Sequence, residues 1–492
     1  MRFEVKDVLT EEEIQKGLKA VIGDGLAFQA MITLTGGVFL VDFALKLGAS
    51  NFVIGLLASI PFLAQFTQLP AIYLVEAIRI RREICVFAAT LNRLCVLGIV
   101  IIPWLPQNIR LSFLLIMLSF HAICGAVSSA SWNSWMRDLV PEEQLGRFFS
   151  KRMSLSMFLS IGLNLGAAVF IDFWKKFFPQ KELYGYAILF FLGFLAGIVS
   201  VYFITQIPEP RLRQIETHKN LFKLIRRPFK DENFKALIFS LCLWNFAINL
   251  AAPFFTVYML KRLQLTMSFI ITLTVLNQLI NVIFLRIWGK LADQFSNKTV
   301  FSVNAPLFLT CILGWTFTTL PERYFLTKPL LVILHILMGI ASAGISLAAG
   351  NLALKLAPKG EATAYLAANN LANAFAAGIA SILGGKTADF LRKLEFGISL
   401  RWRSPGIEIN TPLLDLKHWD FLFFISFFVG LCALRMLNEV KETGESRRKI
   451  LVEEILTEIR RPLRSFSTIS GLSRMSYFPL RKLLPKGCKG ES

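Results

Sequence analysis

Apolar residues along this chain come in long unbroken runs instead of the strict alternation of half-buried strands. Twelve of these runs reach about 20 residues, the length a helix needs to cross a bilayer. Their approximate limits are 22–46, 51–75, 84–105, 110–135, 153–174, 184–207, 235–259, 266–288, 299–320, 328–354, 362–386 and 418–438. A helix satisfies its backbone hydrogen bonds internally, so it can lie in hydrocarbon. The alternating segments of about 10 residues expected of a membrane β-barrel are missing. The runs divide into two sets of six around a polar, basic connector at 208–234. The pattern therefore predicts an all-α membrane protein with twelve transmembrane helices in two pseudo-symmetric six-helix bundles. The expected segments are 1–20 (cytosolic N-terminal segment), 21–207 (first bundle), 208–234 (cytosolic connector), 235–438 (second bundle) and 439–492 (basic cytosolic tail). In the first of these, Thr10-Glu11-Glu12-Glu13 reads as a capping box opening a short helix before the first span.

The polar loops repeat. Trp288-Gly289-Lys290-Leu291-Ala292-Asp293-Gln294-Phe295-Ser296-Asn297-Lys298-Thr299 forms a short charged stretch between two apolar runs, and Tyr73-Leu74-Val75-Glu76 with Arg79, Arg81 and Arg82 echoes it. Glu76 and Asp293 lie 217 positions apart, and so do Pro141 and Pro358 of a second loop pair. Two loop pairs in one register indicate a duplicated membrane protein.

Composition agrees: 54% of residues are hydrophobic, 17% are charged and mean hydropathy is +0.56. The net charge of +20 collects in loops and the tail. That points to the anionic inner membrane face, not to nucleic acid. With the N-terminus inside, about 36 of the 53 Lys and Arg fall in cytoplasmic segments, as the positive-inside bias requires. The exception is 391–417, which this topology puts outside with Arg392, Lys393, Arg401, Arg403 and Lys417; it reads as a folded or mobile external loop. In the tail, Val452, Leu456, Ile459 and Leu463 recur at helical spacing. The seven cysteines show no metal-ligand spacing, and no Walker A, HExxH or GxSxG pattern occurs.

Twelve spans in two sixes, a basic connector, Gly289-x-Leu291-Ala292-Asp293 after an even-numbered span, Leu139-Val140-Pro141-Glu142-Glu143 followed by Gly146-Arg147, and Pro208-Glu209-Pro210-Arg211 together resemble the major facilitator superfamily over roughly 20–438. The first-half copy departs from the family pattern, with Ile72 at the glycine position and Glu76 for Asp. The fifth span has no Gly-Pro pair, so the drug/proton antiporter signature is absent. The resemblance implies a cavity lined by spans 1, 4, 7 and 10. It also implies a cytoplasmic gate latch built from Glu76, Arg81, Gly289, Asp293 and Lys298. A carboxylate there can cap the positive N-terminus of a neighbouring helix; ordering a tight turn is the plainer alternative.

Ionisable groups inside spans are costly and mark cavities, partners or ion paths. Asp24 and Asp42 sit 18 residues apart in span 1, on one helix face, as proton-coupling candidates or as solvated end groups. His121 and His335 lie several turns inside spans 4 and 10; imidazole suits proton handling or substrate contact, with hydrogen-bonded packing as the alternative. Arg93 should point inward to a partner. Amide pairs at one-face spacing occur at Asn245/Asn249, Asn277/Asn281 and Asn369/Asn373. They serve as glue between helices or as hydrogen-bonding contacts for a polar substrate.

The expectation is a secondary transporter, not an enzyme, that moves a small solute by rocker-switch alternating access, coupled to protons. It needs no cofactor and no metal, acts as a monomer in the cell inner membrane with both termini cytoplasmic, and meets anionic lipid at the inner leaflet. The alternative is a sensor or scaffold on the same fold acting through the tail.

Overall fold

A computed structural model describes residues 5–6, 9–211, 226–319, 323–358, 361–404 and 407–442. Among the described residues, twelve helices are long and apolar enough to cross a membrane. Spans 1–6 are Glu11–Lys46, Asn51–Ile78, Arg81–Trp104, Gln107–Leu139, Glu142–Phe177 and Pro179–Gln206. Spans 7–12 are Glu232–Arg262, Met267–Gln294, Asn297–Thr318, Thr327–Leu356, Ala362–Lys393 and Trp419–Leu437. The helical tail segment at 452–463 and the rest of the basic tail lie outside the described residues.

Two expectations change, and a third is narrowed to its folded alternative. The Thr10 side chain accepts from the Glu13 N–H and Glu13 returns the bond, but the capped helix runs straight into span 1 as one piece. Span 1 is itself broken at Gly36–Gly37, where Gly37 takes φ +56°, a left-handed conformation open to glycine. Asp24 and Asp42 therefore do not share one continuous helix. Neither is a solvated end group: they are 4% and 3% exposed. The 391–417 segment is a two-stranded antiparallel hairpin, Glu395–Ser404 with Ile407–Lys417.

Packing within the halves follows the repeat. Span 1 packs on 5 and 6, span 3 on 4 and 6, and span 2 on 4; span 7 packs on 11 and 12, span 9 on 10 and 12, and span 8 on 10. Between the halves, span 2 meets span 11 and span 5 meets span 8. The buried core is continuous across the halves at one end only. Phe39, Phe43, Ile54, Ile171 and Phe190 of the first half join the second-half core around Trp244, Phe254 and Tyr258. Val21, Cys85, Trp135 and Met136, at the end that carries the start of span 1 and the end of span 12, form a separate cluster. We refer to these as the far end and the terminal end.

At the terminal end each half is tied to itself by a carboxylate that follows its last span. Glu209 accepts from the Arg81 and Arg82 N–H groups at 2.6 and 3.2 Å, the first two amides of span 3. Glu442 accepts from the Asn297 and Lys298 N–H groups at 3.3 and 2.8 Å, the first two amides of span 9. Those amides have no partner within their own helix, and the carboxylate supplies one. Burial pushes the Glu209 carboxyl above its usual range. At Glu442 burial acts the same way, but the Lys298, Lys355 and Asn297 donors outweigh it and hold the group below its usual range.

Candidate functional site

The halves are joined at the far end by the same chemistry, now across the interface. Asp389, on the last turns of span 11, accepts from the Asn51 and Phe52 N–H groups of span 2 at 3.2 and 2.8 Å, and from Asn51 Nδ2 at 2.9 Å. Asp172, on the last turns of span 5, accepts from the Met267 and Ser268 N–H groups of span 8 at 2.9 and 2.7 Å. In both helices the next amide is bound by the helix's own cap, Ser50 for Val53 and Thr266 for Phe269. Among the described residues, the hydrogen bonds between the halves all lie at this end. The backbones of spans 2 and 11 also touch here: a Cβ on Gly385 would stand 2.5 Å from Asn51 O and 2.8 Å from Phe52 Cα.

None of these residues stands out in the sequence, since Asp172 and Asp389 sit at the outer edges of their apolar runs. One signal does exist. Asp172-Phe173 and Asp389-Phe390 are 217 positions apart, the offset of the other repeated loops.

His418, at the foot of the hairpin, completes the closure. Its Nε2 lies 3.2 Å from Asn51 Nδ2, which is a donor, so the ring must accept there. The ring stacks on Trp419 and the backbone takes φ +49°. Burial, with a smaller push from Arg392 and Arg262, pulls its pKa down from 6.5 to about 4, against the raising effects of the Ala388 backbone and Asp389. Opening this end would expose the ring and return it toward 6.5, so protonation favours the open form. Closure should be at full strength above about pH 6.5 and weaken as pH falls to about 4. Labelling of a far-end cysteine across that range measures this, and His418→Gln, which keeps an acceptor, should flatten the curve. A wild-type curve that is already flat would contradict the assignment.

The terminal-end residues expected to latch the halves are not together. Asp293 and Glu76 are exposed on the last turns of spans 8 and 2. Arg81 is buried in its own half on Asp138 and Glu209. Lys298 binds Asn438 O at 3.1 Å within its own half. Gly289 faces Leu347 of span 10. Among the described residues, the N-termini of spans 11 and 5, which lie at the same end, carry no side-chain cap.

Among the amides, Asn245, Asn369 and Asn373 come together between spans 7 and 11: Asn245 Nδ2 donates to Asn373 Oδ1 at 3.3 Å, and Asn373 Nδ2 to Asn369 Oδ1 at 3.1 Å. Asn249 donates to Asn245 O. Asn277 and Asn281 belong to a separate contact with span 10, on His335 O and Ser342. His335 Nδ1 lies 2.8 Å from Leu331 O and its ring packs on Trp315, while His121 Nδ1 lies 3.0 Å from Asn92 O. Both geometries suit packing as well as chemistry.

The two span-1 carboxylates each gain partners. Asp42 holds Lys175 at 2.5 Å and the Tyr186 hydroxyl. Asp24 accepts from Ser200 at 2.7 Å, and Ser200 in turn accepts from Arg93 at 3.0 Å, so Arg93 does point inward. Arg152 stands 3.6 Å from the other Asp24 oxygen. Hydropathy starts span 5 at 153 and so leaves Arg152 out; the helix runs Leu145–Phe177 and carries it two turns inside.

The family model described as Major Facilitator Superfamily matches residues 25–381. No curated protein matches the chain. Solved structures do. A point mutant of the nucleoside transporter NupG aligns with TM-score 0.65 and 11% identity over 87% of this chain and 100% of its own. A bacterial homologue of the iron transporter ferroportin in an inward-facing state aligns with 0.64 and 12% over 88% and 100%. A D-xylose-proton symporter aligns with 0.62 and 17% over 88% and 100%.

Proposed function

The chain belongs to the Major Facilitator Superfamily, and on that premise we propose that it is a secondary transporter that moves a small polar solute by rocker-switch alternating access, coupled to protons through Asp24. The terminal end is cytoplasmic in this reading and the membrane is the cell inner membrane. The conformer described above is then the inward-facing one.

The observation that carries the reading is the reciprocal placement of carboxylates on the two helix pairs that join the halves. Span 5 carries Asp172 for the N-terminus of span 8, and span 11 carries Asp389 for that of span 2. At their other ends spans 8 and 2 carry Asp293 and Glu76, both exposed, and spans 5 and 11 begin without side-chain caps. The helices are antiparallel within each pair, so rocking the halves exchanges one set of caps for the other. In the outward-facing state Asp293 caps span 5 and Glu76 caps span 11, with Gly289 allowing close approach. Two states stabilised by equivalent contacts differ little in free energy, as a transport cycle requires. The amide cluster at Asn245, Asn369 and Asn373 offers directional hydrogen bonds to the solute.

Two measurements test this. Asp293→Asn should slow exchange across proteoliposomes while expression and folding stay normal; unchanged rates would remove the inner latch. Across a panel of labelled sugars, nucleosides and monocarboxylates, flux of the solute that is carried should collapse with the pH gradient in the wild type and lose its pH drive in Asp24→Asn. Accumulation that survives a protonophore would rule out proton coupling.

A further inference from the structure

We propose that Arg152 is an oxyanion site and that the solute carries a single carboxylate or phosphate charge which Arg152 binds in place of Asp24. The inference rests on the transport reading and specifies its substrate class.

A guanidinium has five N–H donors in a planar fork. Arg152 uses one at hydrogen-bond distance, Nε to Val21 O at 3.2 Å. Its nearest carboxylate oxygen, on Asp24, is 3.6 Å away, an ion pair but beyond a hydrogen bond. One face of the fork is stacked 4.8 Å over the Trp132 ring. Among the described residues its terminal N–H groups have no closer partner, and the side chain keeps 18% of its surface exposed. The seat on span 1 exists because residue 25 is glycine: a Cβ there would collide with Arg152 Nε. The guanidinium is thus held by its stem, its face and the Nη2–Asp24 ion pair, which leaves Nη1 without a partner among the described residues.

The local charge is unbalanced. Arg93, 3% exposed, reaches Asp24 only through Ser200. Two guanidiniums share one carboxylate, and among the described residues neither has another acidic partner. If a solute oxyanion takes the fork of Arg152, Asp24 loses that partner and is free to accept a proton. The site then holds two cations, one bound anion and a neutral Asp24, the same net charge as before. One anion and one proton travel together without changing the charge the halves must enclose.

Phenylglyoxal labelling of purified protein in phosphatidylcholine nanodiscs, read by peptide mass mapping, tests this. Arg152 should react, and acetate or inorganic phosphate should slow its reaction several-fold while D-xylose at the same concentration does not. Buried Arg93 is the internal control. Absence of reaction at Arg152, or equal rates with and without the anions, would overturn the site. Protection by phosphatidylglycerol in the nanodisc, with none by the soluble anions, would also overturn it, since a lipid headgroup would then be the occupant. These outcomes leave the vesicle flux measurements untouched, so the two ideas fail separately.

Discussion

Asp172→Asn combined with Asp389→Asn is expected to shift the protein toward the conformation open at its far end. Each carboxylate takes the first two amides of a helix in the opposite half. Hydrogen bonds to a charged group contribute about 1.5–3 kcal/mol, and a charge at a helix N-terminus up to ~2 kcal/mol. Asparagine keeps one acceptor, so each site should lose about 1–2 kcal/mol. The sites lie on different helix pairs and should add. The double variant should therefore move the equilibrium by about 2–4 kcal/mol, or roughly 30-fold to several hundred-fold. Ser381, fully buried against Gly55 of span 2, supplies the reporter. In a background without the native cysteines, Ser381→Cys should be labelled slowly by an impermeant maleimide, and much faster when both aspartates are gone. Gly385→Leu should act in the same direction by sterics alone, because its Cβ has no room beside Asn51 and Phe52. Labelling that ignores all three changes would mean that this end is held by packing elsewhere.

Glu209→Ala is expected to be the most destabilising of these single substitutions. It removes the acceptor of two span-3 amides and leaves Arg81, which has no exposed surface, with Asp138 as its remaining acidic partner. Breaking a buried pair from one side typically costs about 3–5 kcal/mol. The apparent Tm of the purified protein should drop by many degrees, and Glu209→Gln, which retains an acceptor, should fall between. Glu442→Ala should be milder, since its partner Lys355 is 45% exposed and can be resolvated. A Glu209→Ala protein that melts like wild type would show that the Pro208-Glu209-Pro210 corner is held by other contacts, such as the bond from Trp135 Nε1 to Pro208 O.

Some elements are legible in the chain because the physics behind them is local. The span count follows from bilayer thickness and from the rule that backbone groups in hydrocarbon must be paired within the helix. The Thr10–Glu13 capping box lies within four residues and is readable for the same reason. The duplication is legible as an offset of 217 in the loops. Helix ends are less so. Arg152 lies inside span 5 because the helix extends past its apolar stretch into polar residues that a hydropathy window excludes. The break at Gly36–Gly37 is invisible to hydropathy because the run stays apolar through it.

Twelve spans, an internal repeat and the three charges that most need an account, Asp24, Glu76 and Asp293, can all be read from the chain without coordinates. Which charges meet is settled only by folding. Asp389 and Asn51 are 338 residues apart in sequence, and no periodicity links them. They touch because the two halves are closed at one end and not the other. A carboxylate at a helix end is equally suited to any free N-terminus that reaches it, so its partner is chosen by how the halves are docked, and docking is a property of the folded bundle rather than of any stretch of chain.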